Sequence, residues 1–594
     1  MTACLSKMSR RGPDSQGVSR HTGPTGMEIL LLHSRLAILD LDQRSNQPFS
    51  EGPIDLVFNG EIYNYKELDR ELEKSSGNRP PSGDTEVLAK LIAAEGEAGL
   101  VRCEGMWGLA WYNRHTGNLH LSRDRFGEKP LFLYRDLDGG VFFASQVIFI
   151  EALLGRRLRP NISHVRRFLS NGYKSLYKTS DTFFEGVTEL RAGHMGTISP
   201  SGQFSEFPWW QPNFDEARDM TFGEAVEGSR ERLMRSLEIR LRADVPIAFL
   251  LSGGIDSNAL IAIARRELGL DVHGFTILNS DRRYDEADMV NLSVEALGLN
   301  HTGIDLEYEG FFRLLQQQVA YHGAPTFTIN SYAGWRLSEH ISKQGFKVSI
   351  SGIGADEMFS GYYDHHNAYL AYVAEHAPLS LPKAVENWKA GIGNFVRNPH
   401  LKDPLYLHKS PSSREHVFLD SQEFNGWLVQ PIDEPFSETE YTAPLLRNRM
   451  ANELFHEAVP VVLHEDDLNS MFYSIENRSP YLDSTLFEYC SVIPTEHLVQ
   501  NGRAKAVLRE AVRGLVPDPI LDNPRKVGFN APIDSLVDRE SRHVLEFLLE
   551  DSPIFEIIKK ESIQALLSEP SLANSRNKFL FSYISSKIFL EEFS

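Results

Sequence analysis

The sequence predicts an α+β half built on antiparallel sheet, followed by an α/β half built on a parallel sheet. Residues 1–205 contain short β-type runs separated by glycine-rich turns, with two helical patterns among them. From residue 206 onward the rhythm changes to strand, loop and helix, which favours a parallel sheet with helices on both faces. We place the boundary near residue 206 because the segment 200–214 contains proline, serine and glycine and interrupts the pattern.

The expected elements follow from the spacing of apolar residues along the chain. In the amino-terminal half, the expected strands are Ile29–Leu32, Ile54–Phe58, Gly108–Tyr112, Leu119–Ser122, Leu131–Tyr134 and Val141–Ala144, and the expected helices are Tyr65–Lys74 and Asp84–Glu95. In the carboxyl-terminal half, the expected helices are Thr221–Arg242 and Ser257–Leu268, and the expected strands are Pro246–Leu251, Val272–Ile277 and Phe346–Ser351.

Composition and charge narrow the class of protein. The 594 residues include 61 Lys and Arg against 81 Asp and Glu, a formal net charge of −20. A surface of this sign repels phosphate backbones and anionic lipid, so neither nucleic acid nor a membrane is expected as the main partner. The sequence has no run of about 18 apolar residues and no signal-peptide core, and its three cysteines are too scattered for a disulfide framework. We therefore expect a cytoplasmic protein.

Residues 250–257, Leu-Leu-Ser-Gly-Gly-Ile-Asp-Ser, join an apolar strand to an amphipathic helix. Gly253 and Gly254 permit a tight turn with N–H groups unobstructed by Cβ atoms. The hydroxyls of Ser252 and Ser257 add donors and the helix N-terminus adds positive potential, which together suit a pyrophosphate. The loop lacks the GK[ST] of a Walker A loop. It resembles the PP-loop of enzymes that cleave ATP to AMP and pyrophosphate.

A second loop, from Ser351 to Glu357, follows a second predicted strand. Because ligands of an open parallel sheet collect at the carboxyl ends of its strands, both loops are expected at one edge. Asp256 and Asp356 are then candidate Mg²⁺ ligands, since Mg²⁺ takes a few carboxylates together with phosphate oxygens.

The order of motifs along the chain resembles that of the glutamine-dependent asparagine synthetases. The carboxyl-terminal motifs are SGGIDS (252–257), FTI (275–277), SGIGADE (351–357), DDLNSM (466–471), ENRSPYLD (476–483), KAVLR (505–509) and RKVGF (525–529). The resemblance implies a PP-loop ATP-pyrophosphatase domain over residues 206–594. It places ATP at Leu250, Ser252, Gly253, Gly254, Asp256, Ser257, Ile277, Ser351 and Gly352. It also implies that Lys526 neutralises phosphate charge while the adenylate forms.

The amino-terminal half resembles the glutaminase domain of the same family, a sandwich of the N-terminal-nucleophile type, over residues 1–205. Its motifs are RGPD (11–14), HSRL (33–36), NGEIYN (59–64), GDTE (83–86) and RDRFG (123–127). The resemblance implies that Arg35, Glu61 and Asp84 hold glutamine and that Asn59 and Gly60 form the oxyanion hole. A backbone N–H beside a side-chain amide is the donor pair that a tetrahedral oxyanion needs.

The sequence departs from the family pattern at the nucleophile and near the acceptor. The family's nucleophile is an N-terminal cysteine, on a strand ahead of the helix that leads into RGPD. A strand and a helix need roughly 17 residues, whereas ten precede Arg11, so Cys4 is expected on the helix. Either the start lies upstream, or this copy lacks glutaminase activity and uses free ammonia or another nucleophile. Ile353 stands where the family usually has an acidic residue, and Gly323-Ala324 where it often has Asp-Glu, which places the acceptor in question.

The expected reaction is ATP-dependent amidation of a small-molecule carboxylate, with Mg²⁺ as cofactor and glutamine or ammonia as nitrogen donor. Aspartate is the default acceptor. A sugar uronic acid of polysaccharide biosynthesis and a β-lactam-forming cyclisation are the alternatives. A non-catalytic scaffold is disfavoured by Asp256, Asp356 and Lys526, and an RNA-modifying enzyme by the negative charge. Whether the chain forms a homodimer is left open.

Overall fold

The computed structural model describes residues 1–73, 83–216, 219–278, 286–306, 310–524, 533 and 536–594. The strands are β1 (Ser15–Thr22), β2 (Glu28–Arg35), β3 (Phe49–Glu51), β4 (Ile54–Ile62), β5 (Gly105–Asn113), β6 (Leu119–Arg123), β7 (Phe132–Arg135), β8 (Val141–Ala144), β9 (Val187–Glu189), β10 (His194–Ile198), β11 (Phe204–Pro208), β12 (Ile247–Leu250), β13 (His273–Leu278), β14 (Asn300–Asp305), β15 (Val348–Ile350) and β16 (Glu476–Arg478).

The helices of the amino-terminal half are α1 (Thr2–Met8), α2 (Tyr65–Glu73), α3 (Asp84–Glu95), α4 (Val147–Leu154) and α5 (Ile162–Asn171). Those of the carboxyl-terminal half are α6 (Phe222–Arg240), α7 (Ile255–Ala262), α8 (Ala287–Leu297), α9 (Phe311–His322), α10 (Ile329–Lys343), α11 (Ala355–Phe359), α12 (Tyr363–His376), α13 (Leu381–Gly391), α14 (Tyr406–Lys409), α15 (Ser421–Trp427), α16 (Leu445–Asn452), α17 (Val459–Phe472), α18 (Ser484–Val492), α19 (Ala506–Ala511), α20 (Asp518–Leu521), α21 (Arg542–Leu549), α22 (Lys560–Leu567) and α23 (Asn574–Phe593).

The amino-terminal half is a layered sandwich of antiparallel sheets, as predicted. A six-stranded sheet runs in the order β11-β10-β6-β5-β4-β3, and a second layer contains a two-stranded sheet, β1-β2, and a three-stranded sheet, β8-β7-β9. One face of β4 and β5 packs against α3 through residues such as Phe58 and Leu88, and the other face packs against β2 and β7 through residues such as Val57 and Leu31. Because β11 pairs with β10 as far as Pro208, the expected boundary at residue 206 falls inside a strand rather than between halves.

The carboxyl-terminal half is built on five parallel strands in the order β14-β13-β12-β15-β16. The chain proceeds from β12 outward to β14 on one side, and β15 and β16 lie on the other side. The strand order therefore reverses between β12 and β15. This reversal brings the loop after Leu250 beside the loop after Ile350, at the position where open α/β sheets bind ligands.

The two halves share one apolar core. Its largest cluster joins residues of the amino-terminal half to α9, α17 and α23 of the carboxyl-terminal half. On α23, Phe589 lies edge-on to Phe183 and to Phe184, each at a ring-centroid distance of 5.6 Å. Within the described ranges, no helix has both the length and the apolar character that a bilayer crossing requires.

Candidate active site

The loop between β12 and α7 is closed by its own hydroxyl and amide groups. The Ser252 and Ser257 hydroxyls lie 3.0 Å apart, and the Gly254 N–H donates to Ser252 Oγ at 3.2 Å. The Gly253 N–H donates to Glu286 Oε2 at 3.3 Å. A Cβ at Gly253 would lie 3.0 Å from the Cβ of Glu286 and of Met289. Glycine is needed at 253 for this close approach of α8.

Asn258 stabilises the conformation of this loop by hydrogen bonds to its backbone. It has no exposed surface, and its Nδ2 donates to the carbonyl oxygens of Ser252 at 2.9 Å and Gly254 at 2.7 Å. Its Oδ1 accepts the Ser293 hydroxyl. These bonds fix two carbonyls on the inner side of the turn. Asn258 follows the SGGIDS motif directly, but its sequence context predicted no role for it.

Asp256 and Asp356, predicted as a metal-binding pair, lie together around one cation. Lys505 Nζ is 2.6 and 2.7 Å from the carboxylate oxygens of Asp256 and 2.6 Å from Asp356 Oδ1. Burial acts to lower the pKa of the Lys505 ammonium, but attraction to the two carboxylates outweighs it and raises that pKa. The arrangement is a preformed cradle for positive charge.

Lys505 occupies a backbone conformation that non-glycine residues rarely adopt, with φ of 56°. Its side chain is buried, with 7% of its surface exposed. A Cβ at Gly361 would lie 1.6 Å from Asp356 Oδ1 and 2.3 Å from Lys505 Cε, so only glycine leaves room for this ion pair. Lys505 begins the KAVLR motif, but its sequence context predicted no function for it.

The other predicted ATP-binding residues lie near the carboxyl ends of the parallel strands or in the loops that follow them. Leu250 is the last residue of β12, and Ile277 is the second-to-last residue of β13. Ser351 directly follows β15. Gly352 packs so closely that a Cβ there would lie 3.1 Å from Asp256 Cβ. Lys526 lies outside the described residues, so its predicted role stays a prediction.

The predicted oxyanion residues lie on β4, at the wall of a cavity of about 600 Å³. Asn59 Nδ2 donates to Ser145 Oγ at 3.3 Å. Gly60 has a φ of 150°, and a Cβ there would lie 1.9 Å from the Met106 carbonyl oxygen. Glycine at 60 is therefore dictated by the close pairing of β4 with β5.

Glu61 and Asp84 form a buried acidic pair in the same cavity wall. Burial, followed by repulsion from Asp84 and Glu476, raises the pKa of Glu61 well above its ordinary value. Burial likewise raises the pKa of Asp84 to about 6. Because burial makes both carboxyls difficult to ionise, a cation that binds beside them would favour their charged forms.

Arg35 also lines the cavity, but its terminal nitrogens bind the neighbouring loop. Nη1 donates to the Asp42 carbonyl at 2.8 Å and to Asn46 Oδ1 at 2.9 Å. Nη2 donates to the carbonyls of Leu39, at 3.2 Å, and Asp40. A glutamine carboxylate at Arg35 would have to replace some of these bonds.

Cys4 lies on helix α1, as the sequence spacing predicts. It is buried beside Met8, and burial raises the pKa of its thiol to about 11. At neutral pH this thiol is protonated, so it is unsuited to act as a nucleophile.

Comparison with known families matches both halves of the chain. Residues 228–587 match the family model described as asparagine synthase, and residues 1–210 match the glutamine amidotransferase domain. The chain belongs to the asparagine synthase family. It is therefore an amidating ligase.

Two of its relatives among the curated proteins match most of the chain. Asparagine synthetase [glutamine-hydrolyzing] 1 of Bacillus subtilis (strain 168) is 27% identical over 572 residues, 94% of this chain and 88% of that protein. Amidase chry2 of Gibberella zeae is 26% identical over 581 residues, 88% of this chain and 83% of that protein. Among solved structures, the glutamine phosphoribosylpyrophosphate amidotransferase of B. subtilis aligns with a TM-score of 0.27 at 13% identity, covering 52% of this chain and 88% of that chain.

Several asparagine synthase motifs meet at the contact between the two halves. Arg11 of RGPD forms a buried bidentate ion pair with Asp467 of DDLNSM, at 2.7 and 3.1 Å. Lys129 Nζ lies 3.3 Å from the same carboxylate. Arg478 of ENRSPYLD approaches Glu61 at 3.6 Å. These motif residues join the amidotransferase domain to the synthase domain.

The substituted segment Gly323-Ala324, expected on the acceptor side, packs against the amidotransferase domain. A Cβ at Gly323 would lie 3.3 Å from a methyl carbon of Ile148 and 3.6 Å from the Phe184 ring. These residues pack in the core between the halves, and their expected place on the acceptor side stays a prediction. Ile353 remains in the second loop, half-buried against the apolar core.

A second buried charge network lies beyond the second loop, centred on Arg449. Its guanidinium donates to Glu453 at 3.0 Å and to Glu457 at 3.0 and 3.1 Å, and all three residues are fully buried. Lys174 and Lys178 of the amidotransferase domain reach the same two glutamates at 3.2 and 2.7 Å. Asp364, His365 and Glu453 are near enough to share a metal ion, but Arg449 and Lys174 already supply positive charge there.

The buried carboxyl of Glu465 is expected to make the stability of the folded chain depend on pH. Its carboxylate oxygens accept the Phe327 N–H at 2.5 Å and the Thr328 hydroxyl at 3.4 Å. Burial raises its pKa from 4.5 to about 8. The stability that this group contributes is therefore greatest below pH 4.5 and falls as pH rises toward 8. Glutamine does not ionise, so the Glu465→Gln variant does not lose this stability. The unfolding free energy of the variant minus that of the parent should therefore increase by about 2–4 kcal/mol from pH 5 to pH 8.

Urea unfolding at both pH values measures this difference. Glu231→Gln is the control, because the Glu231 side chain is 80% exposed and its replacement should not change the pH dependence. An equal effect of Glu465→Gln at pH 5 and pH 8 would show that Glu465 is ionised in the folded protein.

Proposed function

We propose that the chain amidates a small-molecule carboxylate through an acyl-adenylate, consuming ATP and releasing AMP and pyrophosphate. A carboxylate oxygen attacks the α-phosphorus of ATP, and the bond to the leaving pyrophosphate breaks. Ammonia then attacks the acyl carbon, loses a proton and displaces AMP. The proposal rests chiefly on Asp256, Lys505 and Asp356, which meet where two strand-end loops lie together at the reversal of the parallel sheet.

The chain's own residues bind and orient the nucleotide in this proposal. Ser252, Ser257 and the N–H groups of the first loop exchange their present hydrogen bonds for phosphate oxygens. Asp256 and Asp356 would hold Mg²⁺, which supplies neutralisation of the departing pyrophosphate. The fit to a cation is supported by the ammonium that these carboxylates already surround. Lys526 is proposed to neutralise phosphate charge as well.

We assign glutamine binding to the cavity wall that contains Arg35, Asn59, Gly60, Glu61 and Asp84. The acidic pair favours a cation such as the α-ammonium of glutamine, and Asn59 lies beside Gly60 as an oxyanion hole requires. Cys4, whose thiol is buried and protonated, is not proposed as the nucleophile, and the nitrogen donor is glutamine or free ammonia.

Aspartate is the proposed acceptor, and a sugar uronic acid is the second candidate. The second candidate is favoured by Ile353, because an isoleucine in the second loop neither accepts a proton nor binds an amine. Nothing among the described residues favours the β-lactam-forming reaction.

Exchange of labelled pyrophosphate into ATP tests the proposal and separates the acceptors. Aspartate, glucuronate and galacturonate are supplied in turn without ammonia, and glucose, which lacks a carboxylate, is the control. Exchange with aspartate alone supports asparagine formation, and exchange with a uronate alone supports the second candidate. Absence of both exchange and AMP formation with every acid would contradict the proposed reaction.

A further inference from the structure

The segment that follows the second loop of the synthase domain fastens Asp356 through Tyr362. The Gly361 N–H donates to the Asp356 carbonyl oxygen at 2.9 Å, and the Tyr362 hydroxyl donates to Glu357 Oε1 at 2.5 Å. Ser360, which precedes Gly361, has a φ of 68°, a conformation that a non-glycine residue keeps only where its surroundings impose it. The position of Asp356 therefore depends on what fixes Tyr362.

The fully buried ring of His365 fixes the backbone at Tyr362. The Tyr362 N–H donates to His365 Nδ1 at 3.4 Å, and His365 Nε2 lies 2.5 Å from Glu453 Oε2. Because Nδ1 accepts a hydrogen bond, the ring proton lies on Nε2 and is donated to the glutamate. The two rings also meet nearly edge-on, with centroids 5.2 Å apart. The orientation of the histidine is therefore set by Glu453.

Lys174 of the amidotransferase domain contacts both ends of this series of groups. Its Nζ lies 3.2 Å from Glu453 Oε1 and 5.5 Å from the centroid of the Tyr362 ring, which is within the range of a cation–π contact. The 3₁₀ helix Tyr173–Lys178, which carries Lys174, packs against the π-helical turn Glu453–Glu457. Such π-helical turns are rare and frequently lie at functional sites.

We propose that Lys174 is a positioning residue for the synthase reaction. It acts through Glu453, His365 and Tyr362, in that order, and the group that it positions is Asp356. The inference rests on the proposed function in one respect, that Asp356 binds the cation that neutralises pyrophosphate. It extends that function by giving the contact between the two domains a role in adenylate formation, because a displacement of Lys174 displaces the second loop.

Hydrogen exchange of the full chain without nucleotide tests the positioning directly. Lys174→Met keeps a long unbranched side chain but removes its charge, and it should speed exchange at least about fivefold in residues 351–364. Lys174→Arg keeps the charge and should restore exchange there to within about twofold of the parent. Residues 105–113, which are paired on both sides within one sheet, are the internal control.

Lys178→Met is the matched control variant. Lys178 lies on the same 3₁₀ helix, its side chain is 11% exposed, and its Nζ lies 2.7 Å from Glu457 Oε1. The change removes a charge from the same buried network, whereas His365 pairs with the other glutamate, Glu453. Exchange of residues 351–364 should therefore stay within about twofold of the parent.

The magnesium dependence of AMP formation supplies the second measurement. Lys174→Met should raise the Mg²⁺ concentration that gives half-maximal AMP formation by about three- to tenfold, because Asp356 is displaced. A loss of folded molecules lowers the rate but leaves this concentration unchanged. In a Tyr362→Phe background, where the hydrogen bond to Glu357 is already absent, Lys174→Met should add less than about twofold, since both changes act on one path.

Equal exchange of residues 351–364 in the parent and in Lys174→Met would overturn the inference. Equal effects of Lys174→Met and Lys178→Met would also overturn it, because they would show only a general contribution to stability. If Lys174→Met does not fold, Tyr362→Phe alone should still speed exchange in residues 351–364, and unchanged exchange there would contradict the inference. Failure of the parent to form AMP with any acid would refute the proposed function but leave the exchange result valid.

Discussion

Replacing Asp256 with asparagine is expected to reduce AMP formation by about 100- to 1000-fold. The substitution keeps the shape of the side chain but removes one of the two negative charges that surround the Lys505 ammonium. A cation that neutralises pyrophosphate would lose a charged ligand. Steady-state AMP release with the accepted acid and ammonia measures the effect.

Asp518→Asn is the matched control for this change. Asp518 also lies in the first turn of a helix, but its side chain is 76% exposed and far along the chain from either loop. Its replacement should leave AMP formation within about twofold, since surface substitutions have small effects. Retention of full activity by Asp256→Asn would contradict the role of the cradle.

Replacing Arg449 with methionine is expected to destabilise the folded chain by about 3–5 kcal/mol. Glu453 and Glu457 would stay buried with one of their cationic partners removed. Lys174 and Lys178 remain, but they approach from the amidotransferase domain and contact each glutamate singly. Urea unfolding followed by circular dichroism measures the loss.

The loss of stability at acidic pH should also be smaller in the Arg449→Met variant. Although burial alone would raise it, attraction to Arg449 lowers the pKa of Glu457 from 4.5 to about 2. The stability from this depressed pKa is present above pH 4.5 and is lost as pH falls toward 2. Without Arg449 this loss should be smaller.

Arg542→Met controls for the loss of an arginine. Arg542 pairs with Glu546 on the surface and is 92% exposed. Exposed pairs contribute about 0–1 kcal/mol, so this control should unfold nearly like the parent. Equal unfolding of Arg449→Met and the parent would show that the buried network does not stabilise the fold.

Local periodicity was sufficient for most strands of the two sheets. The apolar runs of β4, β5 and β12 were found because these strands are buried on both faces. Strand β1 was missed, because Ser15–Thr22 contains a single valine among polar residues and alternates only between half-buried and exposed positions. The pairing of β1 with β2 cannot be predicted from the residues of β1 alone.

The part of the candidate site that is formed by one continuous loop could be predicted from the sequence. Residues 252–257 form such a loop, and the sequence indicated both its place and its chemistry. Lys505 was not predictable, because it is separated from Asp256 by 249 positions and nothing local distinguishes it from a surface lysine. Likewise, the contact of Arg11 with Asp467 spans 456 positions. A sequence motif identifies such residues but does not show which distant residues they contact.

Oxygen transfer from the acceptor to AMP tests the central claim most directly. The acid that supports pyrophosphate exchange is labelled with ¹⁸O in its carboxylate and incubated with ATP, Mg²⁺ and ammonia, and the products are analysed by mass spectrometry. Because a carboxylate oxygen becomes bonded to the α-phosphorus and leaves with it, one ¹⁸O should appear in AMP. Formation of ADP with ¹⁸O in inorganic phosphate, or of AMP free of ¹⁸O, would contradict an acyl-adenylate made between Asp256 and Asp356.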